Sequence, residues 1–171
     1  KTAVATGADL VAYGGFSTSN CLQQPYNSDL DFGTGDFCIM VWVKTNSSAV
    51  GEHQTLVSRA GRAFDLSVTT LNNYRFYITP ATYISTTSVL YDQWIQLVAT
   101  RRNGICNIYV NGVEKASGTV TTSIGSGYSD DDQLTIGVRV ASGIASGNVS
   151  DKSDIALVRI SSTAPSAEQI A

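Results

Sequence analysis

Apolar and polar residues alternate along most of the chain, in short runs that Gly, Asn, Asp and Ser separate. Residues 37–44 are apolar at almost every position, which predicts a central strand covered on both faces. Residues 64–69 and 74–79 alternate strictly, so each is predicted to form a half-buried strand. The short link at 71–73 contains two Asn residues, which tolerate turn dihedrals, and it predicts that these two strands pair.

Two Asn-Gly pairs mark the clearest hairpins. The pair at 103–104 separates the strand-like runs 94–101 and 105–110, and the pair at 111–112 ends the second run. Asn-Gly favours a two-residue hairpin turn because both turn positions need a positive φ. The sequence therefore predicts three consecutive antiparallel strands here.

Further strands are predicted at 133–138 and 155–161, and a helical turn is predicted after Pro165. In total, about ten to thirteen short strands with turns every 8 to 12 residues are expected. This pattern predicts an all-β fold, a two-sheet antiparallel β-sandwich with a short C-terminal helical turn. A length of 171 residues fits a single domain over 1–171.

Composition narrows the functional classes. The chain is 43% hydrophobic and 15% charged, with a formal net charge of −3, which excludes the class of disordered, highly charged proteins. Its 11 Lys and Arg residues are scattered and form no basic stripe, so no nucleic-acid partner is predicted. No apolar run approaches the roughly 18 residues that would span a bilayer, so no membrane insertion is predicted.

The three cysteines, Cys21, Cys38 and Cys106, lie in strand-like runs and lack the paired spacing of a zinc site. We interpret them as small buried hydrophobic residues, and one disulfide remains an alternative. The chain starts at Lys1 without an initiator Met, which we interpret as a mature product or a piece of a larger protein.

Five blocks, in order, resemble the concanavalin A-like, laminin G-like jelly-roll domains. The first block, residues 30–44, is similar to the family's opening segment around Gly-Asp-Phe and Trp-Val-Lys. The other blocks follow with the family's order and spacing: 94–101, 108–112, 134–137 and 157–170. The resemblance covers the chain from about residue 10 to its end, and it implies the jelly-roll fold with lectin-like carbohydrate binding.

Residues 25–30 and 161–168 also resemble modules of bacteriophage tail and tail-fibre proteins. This resemblance implies one module of a larger virion protein that contacts other virion or fibre subunits. It also implies host-surface attachment, and a location in the virion or otherwise outside the cell.

Catalysis is not predicted. Glycosidases need two carboxylates that flank the scissile bond, whereas the three glutamates here, Glu52, Glu114 and Glu168, lie in separate parts of the chain. The single histidine, His53, stands in a polar loop, and the chain has no Gly-x-Ser-x-Gly segment that could present a nucleophile to it.

Sugar sites combine an aromatic ring with polar groups that bind hydroxyls, often on loops at the rim of a sandwich. The candidate glycan-binding residues are Tyr83, Tyr91, Tyr128 and Asp130. Tyr128 beside Asp130 is the preferred pair, and packing of each tyrosine at the rim is the alternative. Arg75 and Tyr77, on the strand face opposite Phe76, form a further candidate if that sheet is uncovered.

An acidic run could bind calcium through its carboxylates, and its members are Asp130, Asp131 and Asp132. A solvated turn is the alternative interpretation. Where the similar pentraxins have a calcium-binding stretch, this chain has residues 138–141, and Arg139 would repel a cation, so the pentraxin site is not implied here. Ala156 replaces the family's usual Asp, so that position is not implied as a ligand either. Asp151 and Asp154 are interpreted as loop polarity, and no cofactor is required.

These observations predict a non-catalytic recognition module that binds cell-surface carbohydrate as part of a phage tail or another extracellular adhesion assembly. The alternative is a structural module that spaces or oligomerises a fibre and binds no small ligand.

Overall fold

The computed structural model describes residues 12–59, 63–78, 82–125, 133–141 and 144–171. This part of the chain contains thirteen strands and one short α-helix. The strands are β1 (Leu22–Gln24), β2 (Phe37–Thr45), β3 (Gln54–Arg59), β4 (Phe64–Val68), β5 (Tyr74–Ile78), β6 (Thr82–Ser85), β7 (Ile95–Arg102), β8 (Ile105–Val110), β9 (Val113–Thr119), β10 (Leu134–Ile136), β11 (Val138–Ala141), β12 (Ile144–Val149) and β13 (Ser153–Ser161). The helix is α1 (Ala167–Ile170).

The strands form two main antiparallel sheets. The first has six strands in the order β1-β10-β3-β4-β5-β6, and the second has five strands in the order β13-β2-β7-β8-β9. A separate hairpin of β11 and β12 lies next to β3. The predicted two-sheet sandwich is therefore confirmed, and the apolar strand β2 is an interior strand of the second sheet.

The core lies between the two sheets and is centred on aromatic rings. The Phe37 ring lies 4.7 Å from that of Phe32, 5.9 Å from that of Phe64 and 5.7 Å from that of Phe76. All four rings belong to or pack against one continuous hydrophobic cluster. Because β4 and β5 alternate, the residues between their core positions face away from the cluster, which leaves a polar outer face on the first sheet.

Two buried arginines fix loops at the edge of this core. Arg101 donates hydrogen bonds to the carbonyl oxygens of Gly33 (2.7 Å), Gly35 (2.8 Å) and Thr122 (2.7 Å), and its guanidinium carbon lies 5.0 Å from the centre of the Phe37 ring. These bonds tie two loops to β7.

Arg59, whose side chain is fully buried, donates to the Leu30 carbonyl oxygen and forms an ion pair with Asp31. Tyr26 also donates to the Asp31 carboxylate at 2.8 Å. Burial opposes ionisation of Asp31, but the hydrogen bonds from Arg59 and Tyr26 prevail and hold its pKa below the usual value.

The predicted tight turns are confirmed. Asn103 and Asn111 have φ values of 51°, and the glycines that follow them have φ values of 75° and 80°. Asn72, between β4 and β5, has a φ of 58°, and the two strands pair as predicted. Asn tolerates these dihedrals better than other residues with a Cβ, so the turn positions agree with the sequence pattern.

One predicted strand is wrong in detail, because residues 133–138 form two strands interrupted at Gly137. Gly137 has a φ of 86°, and a Cβ at this position would lie 2.1 Å from Cδ1 of Phe16. Only glycine allows that close approach of the Phe16 ring. The predicted strand at 155–161 begins two residues earlier, and Leu157, with a φ of 48°, bulges out of it.

The cysteines are all free thiols, so no disulfide is formed. Burial raises the pKa of Cys38 to about 11 and that of Cys106 to about 12, so both thiols are neutral at physiological pH. Cys38 and Cys106 are buried in strands as predicted. Cys21 is only partly buried, and it precedes β1.

The C-terminal helical turn is confirmed as a four-residue helix that begins after Ser166. Gln169 caps it by accepting a hydrogen bond from the Ser166 backbone N–H at 2.9 Å. Within the described ranges, no helix has the length and apolar character needed to cross a membrane.

Candidate functional site

The outer face of the first sheet carries the strongest candidate site. Strand register places Ser58, Asp65, Tyr77 and Tyr83 in one row across β3, β4, β5 and β6. A second row places Ser67 beside Arg75. Their neighbours along each strand point into the core, so these polar and aromatic side chains share one surface, which we call the outer face.

Two tyrosines form the exposed end of the outer face. The rings of Tyr77 and Tyr83 stack with centres 6.3 Å apart and planes inclined by 10°, and Tyr83 is 54% exposed. We call this pair the tyrosine shelf. Tyr83, a candidate glycan-binding residue, lies in strand β6 rather than in a loop, and pairing with Tyr77 orients its ring.

Arg75 lies beside the tyrosine shelf. Its guanidinium carbon is 5.6 Å from the centre of the Tyr83 ring and 5.9 Å from that of Tyr77. Its Nη2 donates a hydrogen bond to Nε2 of His53 at 3.2 Å, which requires a neutral imidazole with its proton on Nδ1. The planar guanidinium is therefore fixed by two aromatic rings and one hydrogen bond.

The other end of the outer face is buried and unusually polar. Ser58 and Ser67 are fully buried and Asp65 is 2% exposed, yet among the described residues neither the Asp65 carboxylate oxygens nor the two hydroxyls have a hydrogen-bond partner. Buried polar groups in proteins are nearly always hydrogen-bonded, so this cluster departs from the rule. The alternation of residues 64–69 predicted that Asp65 and Ser67 point away from the core. It did not predict that these two side chains would be buried.

A cleft continues from the outer face at His53. It has a volume of about 600 Å³, and its lining includes His53, Gln54, Asn148 and Asp151. The Nε2 of Gln54 donates to the Asp151 carboxylate at 3.1 Å. The cleft thus offers amide and carboxylate groups, which bind hydroxyls, and it meets the outer face at His53.

Tyr91, another predicted site residue, lies away from the outer face. The Tyr91 hydroxyl donates to Oδ1 of Asn72 at 2.9 Å, and the Tyr91 backbone forms a bridge to Thr45 of the second sheet. Desolvation raises the pKa of Tyr91. Tyr128 and the run from Asp130 through Asp131 to Asp132 lie outside the described residues, so the preferred pair and the calcium site stay predictions.

The carboxylates of the described residues are dispersed. Glu52 forms an ion pair with Lys152, and Glu114 lies on β9 of the other sheet. Within the described ranges, no group of three or more His, Cys, Asp or Glu side chains is arranged to hold a metal ion. These contacts assign Glu52 to loop packing at the edge of the cleft.

Comparison with known families now identifies the class of protein. The concanavalin A-like lectin/glucanases superfamily matches residues 17–171, and the chain belongs to this superfamily. No curated protein matches the sequence.

Solved structures agree on the fold at low sequence identity. The CBM40 module of a Ruminococcus gnavus sialidase, bound to α2,3-sialyllactose, has a TM-score of 0.66 and 15% identity over 87% of this chain and 96% of its own. The mouse laminin α1 domains LG4-5 have a TM-score of 0.65 and 13% identity, over 89% of this chain and 41% of theirs. A Trypanosoma rangeli sialidase complex has a TM-score of 0.63 and 15% identity over 94% of this chain. The chain spans only 26% of the length of that enzyme.

Proposed function

We propose that this chain is a non-catalytic carbohydrate-recognition module and that the outer face of the first sheet is its binding surface. The observation that carries the proposal is the tyrosine shelf beside Arg75. Tyr83 is 54% exposed while its ring stacks on that of Tyr77 and lies beside the Arg75 guanidinium, so an aromatic surface and a cation face solvent together.

The chemistry of the outer face suits a sugar. A pyranose has an apolar face that packs on an aromatic ring, and hydroxyls that need both donors and acceptors. Tyr83 supplies the ring, Arg75 supplies donors, and Asn148 and Asp151 in the cleft at His53 supply an amide and a carboxylate. Since the cleft and the tyrosine shelf lie on either side of the hydrogen-bonded pair of His53 and Arg75, we infer that a chain of two or more sugar units suits this surface better than one sugar.

The relatives support this class of ligand. Among the structural neighbours, one is a sialidase module bound to sialyllactose, and its length matches that of this chain. We further propose that the chain is one module of an extracellular adhesion assembly, such as a phage tail, in which it binds cell-surface glycan and contacts other subunits of the fibre.

The test is a glycan array with the native chain and two tyrosine variants, in the presence and absence of calcium. Tyr83→Ala should lower glycan binding at least about tenfold, because an aromatic platform contributes about 1–3 kcal/mol when buried by a ligand. Tyr13→Ala is the matched control, because Tyr13 is also 54% exposed but pairs with Ile155, outside the outer face. Binding that survives Tyr83→Ala would contradict the assigned surface, and no binding by the native chain would favour a purely structural role.

A further inference from the structure

The outer face also indicates which saccharides it would select. We propose that it binds a saccharide that carries a carboxylate or sulfate group, and that Arg75 holds that group. This inference rests on the carbohydrate-binding function proposed above.

Arg75 is a cation without an anionic partner in the described structure. The ion pairs among the described residues are Arg59 with Asp31 and Lys152 with Glu52. The contacts of Arg75 are a neutral imidazole nitrogen and two tyrosine rings, and its Nε is buried with no hydrogen-bond acceptor. A positive charge held in this way is available to a negatively charged ligand.

The nearby carboxylates do not take this role. Glu52 pairs with Lys152, and Asp151 accepts a hydrogen bond from Gln54. Asp65 lies diagonally across from Arg75 in the strand register, but its carboxylate forms no hydrogen bond and is buried below the surface. Within the described structure, Asp65 therefore does not occupy the donors of Arg75.

The position of Arg75 suits a charged substituent on a stacked sugar. With the guanidinium carbon 5.6 Å from the centre of the Tyr83 ring, a sugar packed on Tyr83 brings its ring substituents next to Arg75. The planar guanidinium matches carboxylate and sulfate oxygens, which it can bind through two parallel N–H bonds. Because aromatic contacts and His53 already fix its plane, little side-chain entropy is lost on binding.

The experiment compares matched saccharides on the native chain. An array should pair each carboxylated oligosaccharide with its carboxyl-reduced form, and each sulfated one with its desulfated form. We expect acidic members to bind at least tenfold more tightly than their neutral counterparts, with binding that weakens as NaCl rises. The carboxyl and sulfate arms show which anion is preferred.

Variants then assign the selectivity to Arg75. Arg75→Met should abolish the preference for acidic members, and Arg75→Lys should restore only part of it, because lysine keeps the charge but loses the planar donor pair. Arg102→Met is the control, since Arg102 is exposed on β7 of the second sheet. Circular dichroism and thermal melting check that each variant is folded. The comparison of acidic with neutral saccharides on the native chain does not depend on any variant.

The outcomes separate the two proposals. Tighter binding of neutral members, or an acidic preference that a folded Arg75→Met variant retains, would overturn the assignment of Arg75 while leaving carbohydrate binding intact. Absence of binding to every saccharide would contradict the proposed function itself.

Discussion

Arg101 and Arg75 are both held against aromatic rings, but their surroundings differ. Arg101 lies 5.0 Å from the Phe37 ring centre and donates to three backbone carbonyl oxygens. Arg75 lies at a similar distance from two tyrosine rings, yet its hydrogen bond goes to a single imidazole. Each of the three guanidinium nitrogens of Arg101 donates to a loop carbonyl oxygen, whereas in the described structure only Nη2 of Arg75 has an acceptor.

This difference separates a structural arginine from one that is available to a ligand. A buried guanidinium that saturates its donors stabilises the fold, and removing it leaves carbonyl oxygens without partners. A guanidinium with unused donors contributes little to folding. Folding alone therefore does not explain an arginine at this partly exposed position of the outer face. Binding is the reason that the stacked tyrosines beside it support.

The largest expected effect is on stability when Arg101 is removed. Arg101→Met should lower the free energy of unfolding by about 3 kcal/mol, because the fully buried Arg101 side chain loses three charge-assisted hydrogen bonds to loop carbonyl oxygens. Arg75→Met should change it by less than about 1 kcal/mol. Urea denaturation of both variants checks this contrast, and equal losses would show that Arg75 is as structural as Arg101.

An intermediate effect is expected at Asp65. A buried carboxylate with no hydrogen-bond partner opposes folding, so Asp65→Asn should raise the free energy of unfolding by about 1–2 kcal/mol. Ser67→Ala, which removes an unpartnered hydroxyl from the same cluster, serves as the uncharged comparison.

If the Asp65 carboxylate weakens the positive field at Arg75, Asp65→Asn should also raise the affinity for acidic saccharides several-fold. The affinity for neutral saccharides should stay unchanged. Denaturation and glycan titration measure the two effects separately. A loss of stability would mean that the carboxylate has a partner, such as a bound cation, and that the cluster is not a source of strain.

The smallest expected effect is the change in stability with pH that Asp31 causes. Asp31 forms an ion pair with Arg59, whereas Asp65 forms no ion pair among the described residues. Its pKa is lower in the folded chain than in the unfolded chain, so its stabilisation is present above the unfolded value and is lost as the pH falls through the folded value. Asp31 is 24% exposed, which keeps this contribution below about 1 kcal/mol.

Unfolding free energies of the native chain and of Asp31→Asn should therefore differ at neutral pH and converge between about pH 5 and pH 3. Asp29→Asn is the control, because Asp29 lies in the same loop and forms no ion pair within the described residues. Curves that stay parallel through this range would show that the Arg59 ion pair does not stabilise the fold.

Much of the fold could be predicted because strand periodicity and turn chemistry are local properties. Strict alternation in 64–69 and 74–79 predicted both strands and their pairing, and the Asn-Gly turns predicted the hairpins of β7, β8 and β9. The break at Gly137 could not be predicted, because its cause is the ring of Phe16, more than a hundred positions away in the sequence.

The candidate site was predicted only in parts. Alternation placed Arg75 and Tyr77 on the face opposite Phe76, and Tyr83 was selected as an exposed aromatic residue. Their union into one surface depends on β6 pairing with β5, and β6 was not predicted because its four residues give too short a pattern. Tyr91, selected on the same grounds as Tyr83, is instead engaged with Asn72.

The sequence by itself determined the all-β class, the hairpins and the absence of paired glutamates on one strand, because each depends on residues that are neighbours in the chain. The tertiary structure decided which polar side chains are satisfied. Arg59, Arg75 and Arg101 look alike in the sequence, and they differ because loops that are distant in sequence reach two of them and leave the third with unused donors. Long-range packing therefore decides where this chain can bind, while local pattern decides what the chain folds into.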